Sequence, residues 1–286
     1  DANAIVIEAQ NLFGPRSCEI HGIKTFNGAK ADDVILKTAS VIINTKSPLA
    51  SVFDDVIIGK QAILPEVDDI VYEDRLGTTG WIYRKKILVG TRDLLIHHGV
   101  PVLKEDFEKK YTRKGRKVLY LAEAGKLMAM FVVSYSADPQ LKKALRKLEK
   151  SGMTILVRSA DPFINDESIA ELFELPDGYI RVMNSSNGRA FEKYSNLFAQ
   201  KSPAYIVHNG SALGLVSAFS AAEDLQETRK LISVLISFGS ALGFGVVGLL
   251  AFVGGIDQLD AIKVALFQAA WCIFVNLLAK IKSLFM

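Results

Sequence analysis

From Leu231 to Ile256 the chain runs for 26 residues, LISVLISFGSALGFGVVGLLAFVGGI, without a charge. A helix needs about 20 apolar residues to cross the hydrocarbon of a bilayer, and a soluble core seldom carries so long an uncharged run. A second uncharged stretch extends from Val264 to Ala279, bounded by Lys263 and by Lys280 and Lys282. Such long basic side chains reach the membrane interface. The pattern predicts a transmembrane hairpin over residues 226–286 with an acidic turn at Asp257 and Asp260. Arg229 and Lys230 make both outer ends basic. By the positive-inside rule, the 1–230 head and the C-terminus are then cytoplasmic in a multi-pass membrane protein. Gly239, Ser240, Gly243, Gly245 and Gly248 offer small surfaces for helix packing in lipid.

The expected partners are membrane lipid and further membrane helices of a longer chain, because the sequence opens at Asp1 straight into a strand-like run. Nucleic acid is not expected: 34 basic and 31 acidic residues leave only +3. Two cysteines, Cys18 and Cys272, exclude a disulfide scaffold and a four-cysteine metal site.

The head reads as one α/β unit split by another. Ala4-Ile5-Val6-Ile7 predicts a buried strand, followed by an alternating segment from Cys18 to Ile23. Residues 31–112 differ. A helix carrying Val34, Ile35, Ala39 and Val41 precedes a second one behind Ser47-Pro48, with Ser47 as its cap. Strands over Asp69–Tyr72, Gly80–Tyr83 and Lys86–Val89 follow, an α+β pattern. Residues 116–220 return to alternation: strands Val118–Ala122 and Leu127–Ser134, helix Pro139–Ser151 closed by Gly152, strand Thr154–Val157 and helix Asp166–Phe173. This rhythm predicts a parallel sheet that the opening strand joins.

Two stretches carry a family resemblance. Lys86-Ile87-Leu88-Val89-Gly90-Thr91-Arg92 resembles K-x-V-L-V-G-N/S, and GRKVLYLAEAGKLMAMFVVSYSADPQLKKALRKLEKSGMTILVRSAD from Gly115 to Asp161 resembles G-K-T-x-V-x-V-A-x-D-G-x-L-x-G with its helix-Gly-strand continuation. Both belong to the P-type cation-transporting ATPases, the heavy-metal branch being most similar. Layout extends the resemblance over most of the chain; motifs support it over residues 86–161. It implies a haloacid-dehalogenase-like Rossmannoid α/β fold with an inserted α+β domain and two transmembrane helices. The implied division is 1–30 and 113–225 for the phosphorylation-like domain, 31–112 for the nucleotide-binding-like domain and 226–286 for the hairpin.

The motifs that carry the family's chemistry are altered. Where it has D-K-T-G-T after the first strand, this chain has Glu8-Ala9-Gln10-Asn11-Leu12. A carboxylate nucleophile must meet the γ-phosphoryl in line beside magnesium, and the extra methylene of glutamate displaces its oxygens by about 1 Å, which can cost about 100-fold. Asp1 is an alternative nucleophile without a preceding strand. T-G-D is represented by Ser159-Ala160-Asp161, which also reads as a capped turn. Arg158 before it is a cation where the family has an apolar strand end. G-D-G-x-N-D, the family's source of magnesium carboxylates, has no counterpart; the nearest loop is Val207-His208-Asn209-Gly210-Ser211. Lys201 stands in for the phosphate-neutralising lysine or is a solvated surface residue.

For nucleotide, the family's His-Pro becomes Ser47-Pro48, and G-x-G becomes Arg75-Leu76-Gly77; Gly90 is kept. His97-His98 reads as a helix end before Gly99, since neighbours on a helix point about 100° apart. In the second span Asn276 matches a family asparagine, while Ala269 and Ala270 stand where serines belong; Asn276 and Gln268 are candidates for bonding between helices. The expectation is a catalytically degenerate pseudo-ATPase with a regulatory, scaffolding or sensing role, without a bound metal or cofactor. The alternative is an active ATP-driven cation (heavy-metal) transporter using magnesium and ATP.

Overall fold

Residues 4–14, 17–45, 47–149, 152–195 and 207–284 are described by the computed structural model. The opening strand, β1 (Ala4–Glu8), buries Ile5 and Ile7. It pairs in parallel with a strand 150 residues later, Glu8 standing opposite Arg158. A parallel partner requires a crossover, and here the crossover contains most of the head.

After the short α1 (Ala9–Leu12), the chain leaves through β2 (Cys18–Thr25), then forms α2 (Ala31–Asn44) and α3 (Leu49–Val56). A meander follows: β3 (Asp68–Glu73), β4 (Gly77–Ile82) and β5 (Lys85–Gly90). Next come α4 (Arg92–His97), α5 (Glu105–Lys109), β6 (Lys117–Glu123) and β7 (Lys126–Tyr135). The six strands form one antiparallel sheet in the order β2-β7-β6-β5-β4-β3. Leu88, Leu94, Leu95, Val118, Tyr120 and Met130 are core on the face that α4 shares.

The expected strands 118–122 and 127–134 exist, but they belong to this sheet and not to the parallel one. Ala124 and Gly125, both with positive φ, form a two-residue turn, and such a turn can only join antiparallel strands. With β7 paired to β2, the antiparallel sheet draws on residues 18–135. The divisions at 30 and 112 therefore do not follow the sheets.

The chain returns through α6 (Pro139–Glu149), β8 (Thr154–Arg158), α7 (Asp166–Phe173), β9 (Ile180–Met183) and α8 (Ser185–Ser195). The order β1-β8-β9 is parallel throughout, as the alternation predicted. Asn165 caps α7 in a reciprocal pair with Ser168, 2.8 and 2.9 Å.

Residues 217–286 form a second compact unit. Helix α9 runs unbroken over Ala212–Phe252, and α10 over Ala261–Leu284. Both are long and apolar enough to cross a membrane. Their Val234, Phe244, Leu249, Leu266, Ile273 and Leu277 are exposed, unlike the buried core of a soluble bundle. Trp271 lies over Gly239, where a Cβ would collide with the indole, and its Nε1 donates to the Leu235 carbonyl at 3.0 Å. Asn276 donates to Cys272 O of its own helix, 2.8 Å, instead of bridging helices. In lipid such a bond satisfies the amide without a neighbouring helix.

One buried charge cluster ties α2 to the sheet. Lys37 Nζ donates to Glu123 Oε2 at 2.6 Å and to Asp33 at 2.7 Å, and Lys85 lies 2.8 Å from Glu123 Oε1. Burial pushes the Glu123 carboxyl up, but the hydrogen bonds and charges of both lysines outweigh it and hold it below the ordinary range. Its stabilisation is present above the unfolded value of about 4.3 and is lost as pH falls through the folded one. Glu123→Gln is expected to cost about 1–2 kcal/mol at neutral pH, because Lys37 loses one of its two carboxylates and keeps Asp33. It should also flatten the acid side of the pH–stability curve, read by thermal unfolding of the detergent-solubilised chain.

Candidate functional site

Parallel strands direct their following loops to one edge, where ligands of such sheets bind. Pairing sets Glu8, Arg158 and Met183 in a row across the ends of β1, β8 and β9. A cavity of about 340 Å³ opens there, between this edge, α8 and Ile70–Tyr72 of β3, the outer strand of the antiparallel sheet. Tyr72 is largely buried, which pushes its hydroxyl up to about 12.

Arg158 dominates the cavity's electrostatics. Its Nη1 donates to Glu8 Oε1 at 3.4 Å, and its Nη2 lies 3.7 Å from Glu192 Oε2 on α8. The side chains of Arg158 and Glu8 are each three-quarters covered, so the pair is less screened than a surface bridge. A guanidinium sits between the two carboxylates.

Ser159 lines the cavity, but its Oγ faces the backbone, accepting the Asp161 N–H at 3.0 Å. Asp161 is buried and turned inward. Its Oδ2 accepts from Ser47 Oγ at 2.6 Å and from the Tyr135 hydroxyl at 2.9 Å, while Oδ1 accepts the Phe163 N–H at 2.9 Å. Burial pushes this carboxyl above its ordinary value, against the downward pull of those hydrogen bonds. Burial and the Asp161 charge together push the Cys18 thiol far up, leaving it protonated.

The turn reading and the motif reading of Ser159-Ala160-Asp161 thus meet in one geometry: a hydrogen-bonded turn whose acid fastens the place where the chain leaves and re-enters the parallel sheet. Lys201 and Asp1 lie outside the described residues.

Magnesium prefers several hard oxygen ligands, usually carboxylates with free lone pairs. Glu8 faces a guanidinium and Asp161 accepts three hydrogen bonds. Among the described residues no group of three or more His, Cys, Asp or Glu converges on a point. The donor set does not fit a divalent ion.

The four nucleotide candidates lie elsewhere. Ser47 Oγ accepts the Leu49 N–H at 3.1 Å while donating to Asp161, and Pro48 opens α3. Gly77 and Gly90 stand opposite each other in β4–β5. A Cβ on Gly77 would strike Val89 O, and one on Gly90 would strike Leu76 O. Close backbone approach accounts for both glycines. His98, at the end of α4, brings its Nε2 to 2.6 Å from Glu73 Oε1, and His97 Nε2 lies 4.0 Å from the other oxygen. The two rings therefore face one carboxylate, a convergence their adjacency did not suggest.

Sequence reasoning noticed Arg158 but missed its partner Glu192 and a second contact across the cavity. Asp74, in the turn between β3 and β4, accepts from the Ser185 N–H at 2.9 Å and from the Ser185 hydroxyl. No spacing rule announces pairs 34 or 111 residues apart.

No family model matches the chain. A copper-transporting ATPase 2 of Rhizobium meliloti (strain 1021) is 22% identical over 194 residues, covering 68% of this chain and 24% of the relative. The chain thus spans about a quarter of that relative's length. Among solved structures, a zinc-transporting PIB-type ATPase in the E2.Pi state aligns over 97% of this chain and 49% of its own, with 11% identity and a TM-score of 0.44. The catalytic domain of the CPx-ATPase CopB-B covers 68% and 67%, with 18% identity and a TM-score of 0.38. The N-domain of HMA6, a copper-transporting P-type ATPase, covers 41% and 99%, with 16% identity and a TM-score of 0.35.

Two variants test the structural assignments. Asp161→Ala should lose about 3 kcal/mol by removing the acceptor of the Ser47 and Tyr135 hydroxyls and the Phe163 N–H, while Asp161→Asn, whose single oxygen keeps the two hydroxyls but not the N–H, should lose less, about 1–2 kcal/mol. Gly90→Ala should cost about 2 kcal/mol through overpacking. Thermal unfolding reads each; an unaffected melting temperature in Gly90→Ala would return that glycine to a ligand role. By its motifs over residues 86–161, its parallel α/β sheet and its copper-transporting relative, the chain is a P-type-ATPase-like protein, similar to the heavy-metal branch of that family.

Proposed function

We propose that this chain contains the cytoplasmic portion and two membrane helices of a P-type-ATPase-like membrane protein whose head no longer transfers phosphate. The head then serves a regulatory, scaffolding or sensing role, with residues 1–230 and the C-terminus on the cytoplasmic side. Membrane lipid and further helices of a longer chain surround the hairpin in this reading.

The observation that carries it is the Arg158 guanidinium between Glu8 and Glu192. A phosphoryl-accepting carboxylate needs an unobstructed in-line approach and a divalent ion to neutralise the transferred group. Glu8 instead faces a fixed monovalent cation that has no open coordination position. Asp161, the other surviving acid of the family's motifs, is held by Ser47 and Tyr135 away from the cavity. Among the described residues, those at the cavity perform a binding and fastening task, and none is placed to activate a nucleophile.

Incubating the full chain with radiolabelled ATP and magnesium, then quenching in acid, tests this. No hydroxylamine-labile phosphoenzyme is expected, and Glu8→Gln should match the unsubstituted chain. A label that disappears in Glu8→Gln would overturn the proposal. It would favour an ATP-driven cation transporter, the activity named for the copper-transporting relative. Calorimetry with ATP then separates sensing from scaffolding, heat at cellular nucleotide levels marking a sensor.

A further inference from the structure

The cavity at the end of the parallel sheet is closed from its far side by the antiparallel sheet. Strand β3 contributes Ile70–Tyr72, and the turn after it brings Asp74 to the first residue of α8. That position has a definite electrostatic character. The first turn of an eleven-residue helix exposes N–H groups and the positive end of its dipole, which favour a carboxylate. Asp74 Oδ1 takes both the backbone N–H and the hydroxyl of Ser185, while Asn184 Oδ1 caps the same turn through the Asn187 N–H at 2.8 Å. Within the parallel-sheet side, Arg158 of β8 pairs with Glu8 of β1 and Glu192 of α8, and its guanidinium lies 5.9 Å from the centre of the Phe191 ring.

The cavity's lining carries two acids, Glu8 and Glu192, and two cations, Arg158 and Arg189, while Asp74 bonds to Ser185 of that lining. Asp74 comes from the antiparallel sheet and Ser185 from the parallel-sheet side, 111 residues apart, so their bond spans the opening. We propose that Asp74 on the first turn of α8 is an intramolecular clasp that holds the outer edge of the antiparallel sheet against the start of α8 beside this cavity. This deepens the reading of a silent head, and the two are tested by different measurements.

Nitroxide labels at Lys110→Cys, beside α5, and Lys143→Cys, on α6, report the spacing of the two sheets. Both positions are exposed. The full chain in nanodiscs carries Cys272→Ser; Cys18 is buried and escapes labelling. Double electron–electron resonance should give one narrow distance distribution, unchanged by magnesium with a non-hydrolysable ATP analogue. Asp74→Lys, which places a cation against the helix dipole, should raise the long-distance fraction about tenfold. Arg158→Met, which removes pairs only within the parallel-sheet side, should leave the distribution unchanged. Asp74 lies in an exposed hydrogen bond at a turn, so Asp74→Lys keeps the folded core, checked by unchanged hydrogen exchange in β6 and β7. A broad distribution in the unsubstituted chain, or a narrow one in Asp74→Lys, would overturn the clasp. The phosphoenzyme assay does not decide this: a narrow distribution beside a labelled protein would keep the clasp and remove only the silent-head reading.

Discussion

The buried Asp161 carboxylate joins the two halves of the head. The chain leaves the parallel sheet after β1, builds an antiparallel sheet, and re-enters through β8. Ser47 lies within the excursion, Tyr135 ends its last strand, and Asp161 follows β8; its one carboxylate holds the other two. The Ser136 N–H adds a bond of 2.7 Å to Ser17 O beside the same crossing. A charge taken out of water is tolerated only when its lone pairs are satisfied. Here three donors meet that demand, which fixes where outgoing and returning strands stand.

The cavity's character follows from that fastening. An acid that would reach a ligand if it faced the strand ends is instead committed to the interior. What remains at the opening is Glu8, Glu192, Arg158 and Arg189, two acids and two cations whose formal charges cancel. Cation replaces cation: a guanidinium on β8 neutralises carboxylates that elsewhere would ask for a divalent metal. The difference is chemical, because a guanidinium donates hydrogen bonds but cannot polarise an incoming oxygen as a Lewis acid does.

Asp161 also shows why motif reading was ambiguous. Ser159-Ala160-Asp161 fits a degraded phosphate loop and a capped turn equally well, since both need a short polar residue and an acid two positions on. Only the hydroxyls of Ser47 and Tyr135, 114 and 26 residues distant, give the acid its inward direction. Gly77 and Gly90 were similarly open. Each suits a backbone that approaches a nucleotide or one that approaches another strand, and the β4–β5 register places them against each other.

Local pattern by itself determined several of the head's helices, a parallel sheet that β1 joins and the two apolar spans, because side-chain period and uncharged length are properties of neighbouring residues. The helix over 166–173 and the strand beginning at Thr154 lie where that period puts them. Sheet membership was decided only in three dimensions. Strands β6 and β7 read as returning α/β strands until the turn at Ala124-Gly125 and the pairing with β2 assigned them to the antiparallel sheet. The contacts that define the cleft, Glu8 with Arg158, Arg158 with Glu192 and Asp74 with Ser185, were likewise beyond any window along the chain. Charge pairing across a cavity depends on which strand ends and helix starts the fold brings together, and that is a property of topology.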